Sequence, residues 1–361
     1  MSEIRLLDFG AKDRFFIHSV YEAIAAKGEV NTLHFCYPEK PYVSVGVHQV
    51  IERELDVEYC REHGYPIIRR EVGGGAVFLE ENQQFYHLII SKEDSPADMA
   101  SFYEKFLQPT VSVYQRYGLP AEYKPVNDVV INGKKASGNA AKTVGNFNLL
   151  VGNVIQDFDA KTAAKIMKTP SEKYRDKIAS TMEEYMTSLK KELGHVPGKD
   201  EIKQYYIEAI ESLGFEVVKG KLTSEEKEFQ QGLIEKFKSD EFLNQPRLRH
   251  PLLFEGVDVQ AAKVKGGLVI FEGDLKAEKL VRVILALKDG VIEEISITGD
   301  FFVSPPTAID ELEDDLRGTK LDKDSLSAKL KSFFETNDLK VAGFQVDNLV
   351  EAILKAKKRS D

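Results

Sequence analysis

The stretch Asn127-Asp128-Val129-Val130-Ile131-Asn132-Gly133-Lys134-Lys135-Ala136-Ser137-Gly138 is the strongest local signal in the chain. Asn-Gly between two β-type runs predicts a two-residue type I′ hairpin, because both central residues of that turn need positive φ. The turn sets a register in which Ile131 opposes Lys134, Val130 opposes Lys135 and Asp128 opposes Ser137. Side chains alternate faces along a strand, so Asp128, Lys135 and Ser137 are expected on one face, with Gly138 beside them. A carboxylate, an ammonium and a hydroxyl converging there form a site-like cluster. The plainer alternative is a surface hairpin carrying an ordinary salt bridge.

Upstream, Arg69-Arg70-Glu71-Val72-Gly73-Gly74-Gly75-Ala76-Val77-Phe78 follows the apolar run Pro66-Ile67-Ile68. Guanidinium matches the geometry of phosphate and carboxylate oxygens, and glycine lets a backbone approach a ligand closely. A strand, a tight phosphate-facing loop and a second strand are expected. A β-turn with two solvated arginines is the bland alternative.

The chain of 361 residues can bury a sizeable core, and 42% hydrophobic with 30% charged residues describes a soluble globular protein. No apolar run approaches the ~18 residues of a membrane span. Met1-Ser2-Glu3-Ile4-Arg5 is followed by no apolar signal segment. Cys36 and Cys60 are the only cysteines and form no CxxC, which points to a reducing, cytoplasmic setting. The net charge of -10 disfavours nucleic acid and anionic membranes as partners, but leaves room for a local basic site for a small anion.

Strands are expected at Thr32–Tyr37, Tyr42–Gly46, Pro66–Arg70, Gln84–Ile90 and Asn148–Phe158, with helices at Asp13–Ala26, Leu55–Glu62 and Pro96–Tyr117. After Asn244-Gln245-Pro246 the pattern changes to four strands between Asp258 and Thr298, then helices, as in a small α+β domain. The expected division is residues 1–240, a linker at 241–250, and residues 251–361.

Together these motifs resemble the lipoate–protein ligases that carry a C-terminal accessory domain. The resemblance rests on Arg69 to Phe78 and on Asn127-Asp128 followed by Lys135-Ala136-Ser137-Gly138-Asn139-Ala140, similar to the family's Lys-x-Ser-Gly-x-Ala motif. It rests also on Glu172-Lys173 with Lys177 and Thr187-Ser188-Leu189, and on Ile297-Thr298-Gly299-Asp300-Phe301-Phe302. The resemblance implies an α+β fold like that of biotin ligases and class II synthetases: a mostly antiparallel sheet with flanking helices, then a small α+β accessory domain.

It also implies activation of lipoate by ATP and Mg²⁺ to lipoyl-AMP, and transfer to one lysine of a lipoyl carrier protein. Lys135 would be the central catalytic residue, with Asp128 near it and near the metal. Arg70, Gly73, Gly74, Gly75, Ala76, Val77 and Phe78 would hold nucleotide and adenylate, together with Asn127, Ser137, Gly138 and Ala140. The glycine loop and the Lys135 hairpin are the expected walls of the site. Val43, Val45 and Val77 could line a lipoate tunnel or be plain core.

Two departures stand out. The family usually has His-Asp after the phenylalanine, where this chain has Leu79-Glu80, and His-Gly downstream, where it has Val151-Gly152. The nearest rival is an octanoyltransferase of the same fold, which dispenses with ATP and uses a cysteine shortly before the lysine hairpin. Residues 118–126 contain no cysteine. A non-catalytic carrier-binding homologue is the third alternative.

Overall fold

The computed structural model describes residues 2–169, 172–254, 262–264, 268–305, 307–337 and 339–358. The strands of the N-terminal two-thirds are β1 (Ser2–Lys12), β2 (Thr32–Pro38), β3 (Tyr42–Val45), β4 (Ile67–Arg69), β5 (Val77–Leu79), β6 (Gln83–Ser91), β7 (Ala121–Lys124), β8 (Asp128–Ile131), β9 (Lys134–Ser137), β10 (Asn139–Val144), β11 (Phe147–Ile155) and β12 (Phe215–Lys219). A six-stranded sheet runs β10-β11-β6-β2-β1-β12. Its first three pairings are antiparallel and the last two, β2 with β1 and β1 with β12, are parallel. This parallel edge was not foreseen, because β1 and β12 are separated by most of the chain.

The helix Arg14–Lys27 follows β1 because Asp13 caps it, accepting from the amides of Phe15 and Phe16. The expected helix Pro96–Tyr117 is instead two helices, Met99–Phe106 and Gln108–Arg116. Pro109 explains the break: it cannot donate into a preceding turn but fits the first turn of a new helix. Their apolar faces, with Phe102, Phe106, Val113 and Tyr114, join Leu33, Phe35, Leu88 and Leu150 of the sheet in one core. Arg5 locks the parallel edge, donating to both carboxylate oxygens of buried Glu226 and to Thr32 Oγ1. Two small sheets, β4-β3-β5 and β7-β8-β9, carry the motif segments.

The chain packs as two compact units. The first holds residues 1–44, 55–68 and 77–238; the second holds 45–54, 69–76 and 239–361. The boundary near Ser239 therefore comes with two excursions, 45–54 and 69–76, that a single cut in the sequence does not contain.

The second unit has a four-stranded antiparallel sheet, β13 (Ala262–Val264), β14 (Leu268–Lys276), β15 (Leu280–Lys288) and β16 (Val291–Gly299). The strand expected from Asp258 lies largely outside the described residues. Strands β17 (Phe302–Ser304) and β18 (Lys340–Ala342) form a separate ribbon. The helices Ala308–Leu316, Lys323–Thr336 and Val346–Lys358 cover an apolar core that includes Val283, Leu285, Leu312, Leu349 and Ile353. Segment 45–54 is bound into this unit by ion pairs from Arg282 to Glu54 at 2.5 Å and from Arg53 to Glu272 at 3.0 Å. No helix among the described residues is long and apolar enough to cross a membrane.

Candidate functional site

Asn132 and Gly133 both have positive φ, as the Asn-Gly turn requires, and Val130 pairs with Lys135 and Ile131 with Lys134. The third expected pair does not form. A register shift lies between Val129 and Val130, so Ser137 pairs with Val129 and not with Asp128. One extra residue on β9 makes a bulge, and a one-residue slip changes the face a side chain occupies.

Lys135 Nζ lies 2.6 Å from Asp128 Oδ1, each side chain about a third exposed (36% and 31%). Ser137, by contrast, is fully buried and its hydroxyl donates to the Asn153 carbonyl at 2.6 Å. The expected triple cluster is thus an ammonium–carboxylate pair, with the serine turned inward as an anchor.

The backbone around Lys135 is fixed from both sides. Its carbonyl accepts from the amide of Thr187 at 2.8 Å, and the next carbonyl, Ala136, accepts from the buried hydroxyl of Tyr114. Thr187 leads into Ser188, which caps the helix Leu189–Leu193. The Thr187-Ser188-Leu189 motif therefore braces the lysine hairpin. Glu172 and Lys173 begin the helix Glu172–Tyr185, and their side chains lie outside the described residues.

A buried amide network sits under the hairpin, and sequence patterns did not reveal it. Asn127 and Asn139 exchange side chain-to-backbone hydrogen bonds. Asn153 Oδ1 accepts from the Gly138 amide at 2.8 Å, and its Nδ2 donates to Gln83 Oε1 at 3.0 Å. Tyr86 Oη donates to Asn139 Oδ1 at 2.5 Å. Ala140, on β10, is buried opposite Val151. A side chain on Gly152 would collide with Asn139 Oδ1 and the Tyr86 hydroxyl, which explains glycine there. The only advance signal was three asparagines at 127, 139 and 153 in otherwise β-type segments.

The arginine–glycine stretch belongs to the second unit, and its arginines are not solvated. Arg69 is 1% exposed, and its guanidinium donates to the carbonyls of Gly46 (2.8 Å), Val47 (3.0 Å) and Leu243 (2.9 Å). Burial pulls its pKa down to about 9. Arg70 donates to the carbonyls of Gly73 and Gly75, both at 2.8 Å, and so clamps the loop it was expected to serve.

The glycines also have a packing reason. A Cβ on Gly73 would stand 2.6 Å from the Phe301 carbonyl oxygen. One on Gly74, at φ +92, would press on the Phe302 ring and the Arg70 guanidinium. Gly75 has open room, its nearest neighbour being the Asp300 carboxylate at 3.7 Å. At Gly73 and Gly74 the segment that comes close is Phe301–Phe302, whereas Gly75 leaves room beside its backbone. Phe78 is buried, Ala76 half-buried and Val77 39% exposed; Val43 and Val45 are fully buried core.

Residues 16–211, more than half of the chain, match the family described as Lipoyl protein ligase A/B catalytic domain, and residues 280–353 match Bacterial lipoate protein ligase C-terminus. The chain belongs to the lipoyl protein ligase A/B family. It is 27% identical to an octanoyltransferase LipM of Kyrpidia tusciae, over 67% of this chain and 98% of that protein. It is also 27% identical to a lipoate–protein ligase of Streptococcus pyogenes, over 82% of this chain and 83% of that one. Among solved structures, a bi-partite lipoate protein ligase from Thermoplasma acidophilum, described with its E2 lipoyl domain, aligns at TM-score 0.62 and 25% identity, covering 67% of this chain and 96% of that one. The fold is the expected lipoyl ligase-like α+β architecture, and the chain is an enzyme of the lipoate ligase and octanoyltransferase group.

Within this lipoyl ligase family member, Glu80 of the Leu79-Glu80 departure lines a cleft of about 720 Å³. Glu80, Asp157, Asp159, Lys161, Thr187 and Lys190 are among its walls. Glu80 accepts from the Asp159 amide at 3.2 Å. Burial pushes its carboxyl up from 4.5 to about 7, with Asp159, Asp157 and Glu81 adding to the rise. A carboxyl whose folded pKa exceeds its unfolded one binds more protons when folded, so its ionisation opposes folding. Stability is therefore expected to fall as pH rises from about 4.5 to about 7. Glu80→Gln is expected to flatten that part of the profile. At about pH 8 it should gain on the order of 1 kcal/mol, a figure discounted for partial solvation, as denaturant melts of both proteins can measure.

Proposed function

We infer that the chain is an ATP-dependent lipoate ligase, forming lipoyl-AMP and passing the lipoyl group to a lysine of a lipoyl carrier protein. One observation carries the choice of ligase over transferase. A thiol nucleophile is lacking where the transferase mechanism needs it: residues 118–126, ahead of the lysine hairpin, contain no cysteine. Cys36 and Cys60 are both buried, and burial pushes both thiols up, Cys60 to about 11. A thiolate nucleophile needs the opposite environment. Lys135, in contrast, is a partly exposed cation on a strand whose backbone is held at two successive carbonyls.

In this reading Lys135 places a fixed positive charge where negative charge develops, first on the α-phosphate and then on the tetrahedral oxyanion. Asp128 orients the ammonium. Its carboxylate also suits Mg²⁺, a hard cation bound through one or two carboxylates with water and phosphate oxygens. Such an ion would neutralise charge on the nucleotide phosphates. Arg70 and Gly73 to Phe78 are assigned to the nucleotide by the resemblance, with Arg70 acting through the loop shape it clamps. Asn127, Ser137, Gly138 and Ala140 act as positioning residues beneath the hairpin. Residues 1–240 are assigned to catalysis and 251–361 to the accessory role.

The octanoyltransferase reading has its own support in the LipM relatives. Lipoate-dependent exchange of labelled pyrophosphate into ATP separates the two. Exchange with lipoate and Mg²⁺ supports the ligase; no exchange, with acyl transfer from an octanoyl carrier thioester in the absence of ATP, replaces it with the transferase.

A further inference from the structure

We propose that His34, Cys36 and His87 form a binding site for one tetrahedral cation, zinc in the first instance, inside the first unit. The proposal stands apart from the ligase reading and uses none of its residues. His34 on β2 and His87 on β6 are direct cross-strand partners in the middle of the six-stranded sheet. Cys36 lies two residues after His34 and so on the same face. All three are interior, at 0%, 4% and 0% exposure. The other face at this point is apolar, with Leu33, Phe35 and Leu88 in the main core.

The geometry suits a metal. Each of the three residues offers a ligand atom, and these atoms lie within 4.8 Å of one another. His87 Nδ1 is 3.1 Å from His34 Nε2 and 3.4 Å from His34 Nδ1. Zinc–nitrogen bonds of about 2.0–2.1 Å at a tetrahedral angle place two imidazole nitrogens about 3.3 Å apart. The two rings are tilted, with centroids 4.5 Å apart and an interplanar angle of 57°.

Two imidazoles and one sulfur are a borderline-to-soft ligand set, suited to zinc and unlike the oxygen ligands that Mg²⁺ takes. On binding, the Cys36 S–H bond breaks, a sulfur–metal bond forms and the proton leaves to solvent. Among the described residues no further His, Cys, Asp or Glu joins the cluster, so the protein would supply three ligands. The plain alternative is two core histidines sharing one proton beside an inert thiol.

The test uses the full-length chain, unfolded, freed of metal by a chelator, and refolded with Zn²⁺ or Co²⁺ alone. About one equivalent of zinc should survive gel filtration, and the cobalt form should show a thiolate-to-cobalt charge-transfer band. Cys36→Ser should lose the band, and His87→Phe should lose stoichiometric zinc. Wild-type protein that refolds with no charge-transfer band and less than about a tenth of an equivalent of zinc overturns the proposal. So does zinc retention in folded Cys36→Ser and His87→Phe equal to wild type, which places the ion elsewhere. If a variant does not fold, the wild-type cobalt spectrum alone decides.

Discussion

Lys135→Ala is expected to lower lipoate-dependent pyrophosphate exchange by about 10²–10³-fold or more while the protein stays folded. The loss follows from removing a charge that in the proposed mechanism serves both half-reactions. Survival of the fold follows from what holds the hairpin. The Lys135 carbonyl is tied to Thr187, the Ala136 carbonyl to Tyr114 and Ser137 to Asn153, and none of these bonds uses the ammonium. The side-chain partner, Asp128, is itself about a third exposed and can be solvated when the lysine is gone. A pair of this kind contributes no more than about 1 kcal/mol. Lys135→Arg is expected to remain strongly impaired, because a planar fork does not place its charge where an ammonium does. Near-normal exchange by a folded Lys135→Ala protein would remove Lys135 from the mechanism.

Arg69→Met is expected to do the reverse, costing about 2–3 kcal/mol of stability because it removes a buried charged donor. Methionine fills much of the space but donates nothing. The carbonyls of Gly46, Val47 and Leu243 then lose a charged donor in a site where the guanidinium is 1% exposed. The Gly46 carbonyl keeps the Gln49 amide and Leu243 is only half-buried, so the Val47 carbonyl bears most of the loss; an unsatisfied buried carbonyl costs about 1–3 kcal/mol unless the backbone moves to reach water. Urea unfolding measures the effect. A change below about 1 kcal/mol would mean that the three carbonyls find other partners easily.

The hairpin was legible because Asn-Gly is a backbone statement, and the φ values of Asn132 and Gly133 bear it out. The bulge that displaces Ser137 was not legible: an inserted residue alters no composition and no turn residue. Arg69 was misleading for a physical reason. Guanidinium is usually kept at the surface or on an anion, and nothing local reports that carbonyls at residues 46, 47 and 243 converge on it. For Gly73 and Gly74 the structure adds a packing reason that the local sequence could not show, because Phe301 and Phe302 lie more than two hundred residues downstream. The asparagine network escaped notice because each member is an ordinary polar residue until the sheet brings 127, 139 and 153 together. Leu79-Glu80 was visible as a departure, but its consequence, a carboxyl pushed up by burial in a cleft, depends on the fold.

The excursions 45–54 and 69–76 have a consequence for fragment design. A gene trimmed after residue 238 would keep both loops but delete Leu243, Glu272, Arg282 and the Asp300–Phe302 segment. Glu54 and Arg53 would lose their ion partners, Arg69 one of its carbonyls, and Gly73 and Gly74 the chain packed over them. Fragments meant to keep segments 45–54 and 69–76 in their packed form therefore need residues 239–361 as well as 1–238.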